Sequence, residues 1–287
     1  MPIDPSKLLS LEIPELRQTY GWRESILYAL GLGFGLDPVD ERQLQFVDER
    51  KLKAVPTMAN VLAYPGFWIR DLATGIDWVK TVHGEQAMRL HRPLLPHGDV
   101  RRKTRILEIV DKGPGRGALL YVEAKIGDAG TGEPVATLLQ TVFCRGEGGF
   151  GGTAASPRVP HALPSQAPDF TVEMPTHRQL ALIYRLSGDL NPLHADPAAA
   201  RKAGYDQPIL HGLATYGIAG HALLATLCDY EPERVLALEG RFSAPVFPGE
   251  TITVAVWREG PGRAAFRAHV AEREAVVLTN GRFDYVP

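Results

Sequence analysis

The chain has 287 residues, 45% of them hydrophobic, and a formal net charge of -2. That length suits one large or two medium domains, and the hydrophobic share is ample for a packed core. A near-neutral balance with scattered Lys and Arg excludes a polyanion-binding protein, so no nucleic acid partner is expected. The two cysteines, Cys144 and Cys228, sit in apolar runs and read as buried free thiols in a reducing cytosol. The opening MPIDPSKLLS lacks a signal-peptide pattern. Residues 209–228 approach the length of a membrane span but carry His211, Tyr216 and His221, which favours a buried core helix. The expectation is a cytoplasmic protein with no membrane partner.

In chain order, residues 11–32 read as a helix ending in a glycine-rich stretch, residues 31–35. Leu44-Gln45-Phe46-Val47 and residues 58–64 read as short strands. From Val79 the pattern becomes β: residues 87–92 alternate, and 100–111, 118–126 and 135–145 follow as strands. Within this run Arg101-Arg102-Lys103 reads as a solvated strand or turn, with a phosphate-bearing ligand as the functional alternative. Residues 146–168 are rich in Gly, Pro, Ser and Ala and read as a linker or long surface loop. Beyond it come a strand at 170–174 and a helix at 177–187. Asp196-Pro197 caps a short helix at 198–203, and a long helix covers 212–227. Strands at 235–242, 251–258, 264–271 and 275–285 complete the chain.

Two patterns recur in order. Pro93-x-x-Pro96-x-Gly98-Asp99 returns as Pro245-x-x-Pro248-Gly249-Glu250, and residues 113–118 return as 260–265. Both matches sit in β context, which points to duplication. Each half then reads as a helical segment followed by an antiparallel meander. A sheet curled round an apolar helix is the hot-dog architecture, so the expected fold is α+β, a double hot-dog of two antiparallel sheets. Only the C-terminal half shows a full central helix, and this asymmetry predicts one active site. The expected division is an N-terminal half (1–150) that accommodates a bulky ligand, a linker (151–168) and a catalytic half (169–287).

The chemistry concentrates in Tyr184-x-x-Ser187-Gly188-Asp189-Leu190-Asn191-Pro192-Leu193-His194, followed by His211-Gly212 at the start of the long helix. A carboxylate, an amide and an imidazole lie within six residues of loop. Asp189 and His194 are both largely deprotonated at neutral pH by their ordinary values, so each can begin as a base. Asn191 can orient a water. The Gly212 N–H, at a helix N-terminus with no side chain in the way, suits a developing oxyanion. Taken alone, Asp189-x-Asn191-Pro192 is a common Asx-turn sequence. Lys112 alone is an exposed turn lysine, Tyr184 core or rim, and His83-Gly84-Glu85-Gln86 a polar turn. His211 reads as shaping the helix entry. Asp189, His194 and His211 match no usual zinc spacing, and no metal is expected. Ser187 lacks the context of a nucleophile elbow.

This motif resembles the hydratase-2 motif of the MaoC-like family, the (R)-specific enoyl-CoA hydratases. The likeness continues through residues 241–250. In the first half it takes in His83-Gly84-Glu85-Gln86, Asp111-Lys112-Gly113 and Gly148-Gly149-Phe150-Gly151-Gly152, words similar to the hydratase part of peroxisomal multifunctional enzyme type 2. The resemblance implies reversible syn addition of water to a trans-2-enoyl-CoA, giving a (3R)-3-hydroxyacyl-CoA, within fatty-acid β-oxidation or related lipid metabolism. It makes Asp189 and His194 the joint acid–base pair, with Asn191, Gly212 and Tyr184 in the catalytic group. His83, Gly84, Lys112, Leu190, Pro192, Leu193 and Phe242 would line the acyl-CoA path. CoA is then part of the substrate, no separate cofactor is implied, and a homodimer is expected. Two alternatives stay open: a hot-dog thioesterase directing water at C1, and a non-catalytic acyl-CoA-binding module.

Overall fold

The structure is a computed structural model that describes residues 3–152 and 158–287; part of the expected linker, 153–157, lies outside the described residues. The first half runs α1 (Pro5–Leu9), β1 (Leu16–Tyr20), α2 (Trp22–Leu30), α3 (Glu41–Leu44), a 3-10 turn at Pro56–Asn60, and α4 (Trp68–Asp71). It closes with the meander β2 (Thr81–Leu90), β3 (Gly98–Asp111), β4 (Ala118–Asp128) and β5 (Pro134–Cys144). The second half runs β6 (Phe170–Pro175), α5 (Leu180–Tyr184), a 3-10 turn at Pro192–His194, α6 (Pro197–Lys202) and α7 (Gly212–Leu227). Its meander is β7 (Val235–Phe242), β8 (Thr251–Arg258), β9 (Arg263–Val270) and β10 (Ala275–Tyr285).

The strands form one antiparallel sheet in the order β1-β3-β4-β5-β2-β7-β10-β9-β8-β6. Read outward from the centre, each half has the same order, with β1 to β5 matching β6 to β10. The two proline-glycine repeats fall at equivalent turns, β2–β3 and β7–β8, and the glycine repeats at β3–β4 and β8–β9. The two expected sheets are continuous, because β2 pairs with β7 from Glu85↔Arg241 to Arg89↔Ala237. Joining them there satisfies the backbone groups of two edges that would otherwise be open to another chain.

Helix α7 is buried on nearly every side, packed against β6, β7, β8 and β10 and against the Pro56–Asn60 turn of the first half. Its small residues make that possible. A Cβ on Gly217 would lie 2.6 Å from Leu32, and one on Gly220 would lie 2.9 Å from Thr57. His221 adds a polar tie between the halves: its Nδ1 bonds to Leu32 O at 3.1 Å and its ring stacks on Phe34.

The first 72 residues depart from the sequence expectation. Residues 11–32 are an edge strand and then a helix, since Leu16–Tyr20 alternates in burial and pairs with β3. The expected strand at Leu44-Gln45-Phe46-Val47 is the end of α3 and a turn, started by the Asp40 side chain accepting from Arg42 N. The expected strand at 58–64 belongs to the Pro56–Asn60 turn and the bend after it, and all five residues of that turn are buried. This apolar run sits where a second central helix would go, under the first half of the sheet, and packing rather than strand pairing satisfies it. His83-Gly84-Glu85-Gln86 is strand, not turn, with a β-bulge between His83 and Glu85. Gly84 belongs there because a Cβ would stand 3.2 Å from Thr141 O.

Candidate active site

The loop between α5 and α6 is built from nested side-chain turns. Gly188 has φ 123°, a conformation L side chains rarely adopt, and it turns the chain beside Tyr64. Asp189 Oδ1 then accepts from Asn191 N at 3.1 Å, and Asn191 Oδ1 accepts from Leu193 N at 3.0 Å. Pro192 opens the following 3-10 turn, where its missing N–H costs nothing. Such a cap contributes about 1 kcal/mol. Together these turns deliver His194 into the interior, only 7% exposed.

His194 is oriented from behind. Its Nδ1 lies 2.8 Å from Ile209 O. A carbonyl only accepts, so Nδ1 carries the proton and Nε2 keeps its lone pair. Burial lowers the His194 pKa below its ordinary 6.5, partly opposed by the charge of Asp189. His211 is fixed in the same manner, with Nε2–H donating to Asp189 O at 3.1 Å, and its ring stacks on His194 with centroids 3.7 Å apart. Burial and the neighbouring His194 push His211 down to about 3, so it is neutral at physiological pH. Ligand atoms of Asp189, His194 and His211 all lie within 4.8 Å of one another. Two of the four imidazole nitrogens donate to carbonyls, which leaves His194 Nε2 and His211 Nδ1, the latter without a partner among the described residues, with their lone pairs free.

Helix α7 begins directly after His211. The first intrahelical bond is Ala214 N to His211 O at 3.0 Å, so the amides of the first turn before it have no helical acceptor. Gly212 is held close: a Cβ there would stand 3.3 Å from the Phe242 ring. Phe242 in turn packs on His83, centroids 4.7 Å apart. Burial takes the His83 pKa down to about 4, against the opposing bond from its Nε2 to Glu85 O. His83, Leu213, Tyr64, Asn60 and Gln86 border a small pocket beside this helix start.

A larger chamber of about 380 Å³ lies on the inner face of the first half of the sheet. Its walls include Trp68, Thr104 and Val142 from the first half and Asn191, Pro192 and Leu193 from the loop. Chamber and small pocket share Tyr64, Arg102 and Gln140. On the other side of the loop, His194 also borders a hollow of about 510 Å³ with Glu250, Phe247 and Gln207.

Three comparisons bear on this arrangement. The model of the MFE-2 hydratase 2 N-terminal domain matches residues 18–146, and that of the MaoC like domain matches residues 160–280. The 3-hydroxyacyl-thioester dehydratase Y of Mycobacterium tuberculosis is 39% identical, covering 100% of this chain and 99% of its own. The peroxisomal enoyl-CoA hydratase 2 of Arabidopsis thaliana is 36% identical over 94% of this chain and 92% of its own. The chain belongs to the MaoC-like hydratase 2 family. Among solved structures, a MaoC-like dehydratase from Phytophthora capsici superimposes with a TM-score of 0.87 at 34% identity, covering 99% of this chain and 98% of that one.

Within this hydratase-2 frame the sequence-derived residues fall into distinct places. Asp189, Asn191, His194 and Gly212 converge around the loop and the start of α7, and His83, Gly84 and Phe242 back that helix start. Pro192 and Leu193 line the chamber. Leu190 points away, 57% exposed. Tyr184 is buried behind the pair: its ring lies 5.1 Å from that of His211, and among the described residues its hydroxyl has no hydrogen-bond partner. Burial raises its pKa well above the ordinary value. Lys112 is not at the loop, and its ammonium sits 5.0 Å over the Phe143 ring at the far end of β3. Its neighbour Asp111 accounts for the glycine words: the carboxylate accepts from the amides of Gly113, Gly149 and Gly151 at 2.7–2.8 Å. Those bonds, Gly149 first, hold the Asp111 pKa low. Sequence reasoning passed over Tyr64 and took Arg102 only as one member of a solvated Arg101-Arg102-Lys103 cluster with a phosphate-bearing ligand as the alternative; the strand alternation that turns Arg102 inward was the available signal.

Proposed function

We propose that this chain catalyses reversible hydration of trans-2-enoyl-CoA to (3R)-3-hydroxyacyl-CoA, as a hydro-lyase, with Asp189 and His194 activating the water. The observation that carries the reading is the orientation of His194. Its Nδ1–H is committed to Ile209 O, which leaves Nε2 with its lone pair, and a nitrogen of this buried ring lies within 4.8 Å of the Asp189 carboxylate.

In this reading Asp189 and His194 hold one water against C3. The pair takes a proton as the water oxygen bonds to C3. The C2=C3 electron pair moves toward C2 and the thioester oxygen. The Gly212 N–H stabilises that oxygen, in a water-poor place where a preorganised donor is worth most. The pair then returns a proton to C2, so one O–H bond has become one C–H bond and no electron is lost. Asn191, with Oδ1 used in the turn, keeps its amide nitrogen as a donor for the water. The first half holds the acyl chain in the 380 Å³ chamber. No separate cofactor takes part, since CoA belongs to the substrate.

Among the described residues no helix is long and apolar enough to cross a membrane. We carry a cytoplasmic location as part of the proposal; cell fractionation tests it, and recovery in an organelle overturns it. A homodimer is likewise proposed, with light scattering expected to give twice the 31.4 kDa chain mass.

The activity is tested by following loss of the enoyl-thioester absorbance and release of free CoA thiol in the same reaction. Loss of absorbance without thiol supports hydration. Thiol release without hydrated product selects the thioesterase, and binding with neither signal selects the acyl-CoA-binding module.

A further inference from the structure

Arg102 occupies an inward position on β3. Burial alternates along the strand, with Val100, Arg102, Thr104 and Ile106 inside and Arg101, Lys103 and Arg105 outside. The outward neighbours have acidic partners: Arg101 and Lys103 face Glu15 at 3.8 and 3.2 Å. Arg102 is different. It is 7% exposed, and among the described residues no carboxylate forms an ion pair with it. Its Nη1 donates to the main-chain oxygens of Asn60 at 3.1 Å and Leu62 at 3.4 Å, while Nε is buried with no hydrogen-bond partner among the described residues.

A buried cation without a counter-ion is strongly unfavourable, and proteins rarely retain one. The two carbonyl bonds explain part of its presence, since they cap the Pro56–Asn60 turn. They do not explain the charge, because a neutral donor would cap as well. Arg102 borders both the chamber and the small pocket and lies against Tyr64, its guanidinium 5.8 Å from that ring. Tyr64 in turn abuts Gly188, next to Asp189. The cation therefore sits in the wall of the space assigned to the acyl chain, a short way from the reacting carbons. A plain alkyl chain filling that space would displace water from the guanidinium and offer it nothing in return.

We propose that Arg102 is a specificity-determining residue that selects acyl chains bearing a carboxylate at their far end, the CoA monothioesters of dicarboxylic acids. This rests on the acyl-CoA reading above. A carboxylate accepts two parallel bonds from a guanidinium and neutralises it, so the same group that repels an alkyl chain anchors a charged one.

The test compares saturated, non-reacting pairs of equal length by calorimetry: succinyl-, adipoyl- and suberoyl-CoA against butyryl-, hexanoyl- and octanoyl-CoA. At one length or more the wild type is expected to bind the carboxylated member about 10- to 100-fold more tightly. Arg102→Met should abolish that ratio while leaving the alkyl member as tightly bound or tighter. Arg102→Gln keeps a donor for Asn60 and Leu62, so it preserves the turn yet should also lose the ratio. Equal binding within every pair in the wild type overturns the proposal. So does an equal loss for both members in the variants, which would assign Arg102 to a CoA phosphate or to the fold. Hydration of trans-2-hexenoyl-CoA is measured on the same preparations. Its failure counts against the hydratase reading, while the binding ratio still decides the role of Arg102.

Discussion

The two halves share strand order and turns but differ in what lies under the sheet. In the second half a 16-residue helix, α7, fills that space and starts with Gly212 beside the Asp189–His194 loop. In the first half the space holds a five-residue 3-10 turn, Pro56–Asn60, and a chamber of about 380 Å³. In the function proposed above, one copy of the repeat contributes rigid chemistry and the other contributes volume. A full helix in the first half would fill the place where a chain can lie. Changes in the second half should consequently act on the chemical step at every chain length. Changes in the first half should act on the choice of chain.

The sharpest break of this comparison is Asp189→Asn or His194→Gln. Each is expected to lower kcat by about 10²- to 10⁴-fold on short and long enoyl-CoA alike, with KM little changed. Steady-state kinetics on crotonyl-CoA and trans-2-decenoyl-CoA reads this directly, and a loss confined to one chain length would undo the division. Gly212→Val brings a side chain onto Phe242 and into the proposed thioester position, and a fall in kcat of about two powers of ten is expected. Thr104→Trp is the mirror experiment in the first half. It fills the chamber, so kcat/KM for trans-2-decenoyl-CoA should fall about 10- to 100-fold while crotonyl-CoA stays near the wild-type value.

Acidity gives smaller effects. Burial lowers His194 below 6.5, and in the proposed mechanism the residue begins unprotonated. The acid limb of kcat/KM should therefore lie below pH 6.5, with activity falling as pH drops through that lowered value. Stability follows the same sign. His211 and His221 are buried with pKa values of about 3 and about 4, below the ordinary 6.5 of the unfolded chain. The unfolded state takes up protons first, so their contribution is complete above pH 6.5 and is lost as pH falls to about 4 for His221 and about 3 for His211. Calorimetric scans should show Tm dropping over that window. Smallest of all, prolonged treatment with EDTA should leave hydration unchanged; a loss restored by a divalent cation would assign the Asp189, His194 and His211 cluster to a metal.

The sequence was most readable where secondary structure and burial have one period. Residues 212–227 carry small and apolar side chains on all faces and begin at His211-Gly212, and the helix found there has those limits. The strands of both meanders alternate and are bounded by Pro and Gly turns, so their positions and the repeat could be read. The region before Thr81 could not, because short apolar runs such as 58–64 fit a strand and a buried turn equally well. What decides between them is the space under the sheet, which no local pattern encodes. The loop geometry was legible because Gly188, Asp189, Asn191 and Pro192 form their turns within seven residues of chain ending at His194. The long-range contacts were not: Asp111 gathers the amides of Gly149 and Gly151 from 38 and 40 residues away. Arg102 was obscured by its company, since Arg101 and Lys103 make a charged cluster of which only the middle member turns inward.

The central claim is that Asp189 and His194 deliver water to one face of the enoyl thioester. The measurement that tests it most directly is chiral analysis of the product formed from trans-2-hexenoyl-CoA, with Asp189→Asn assayed beside the wild type. The account predicts (3R)-3-hydroxyhexanoyl-CoA from the wild type and almost none from the variant. A 3S product, or undiminished hydration by Asp189→Asn, would contradict it.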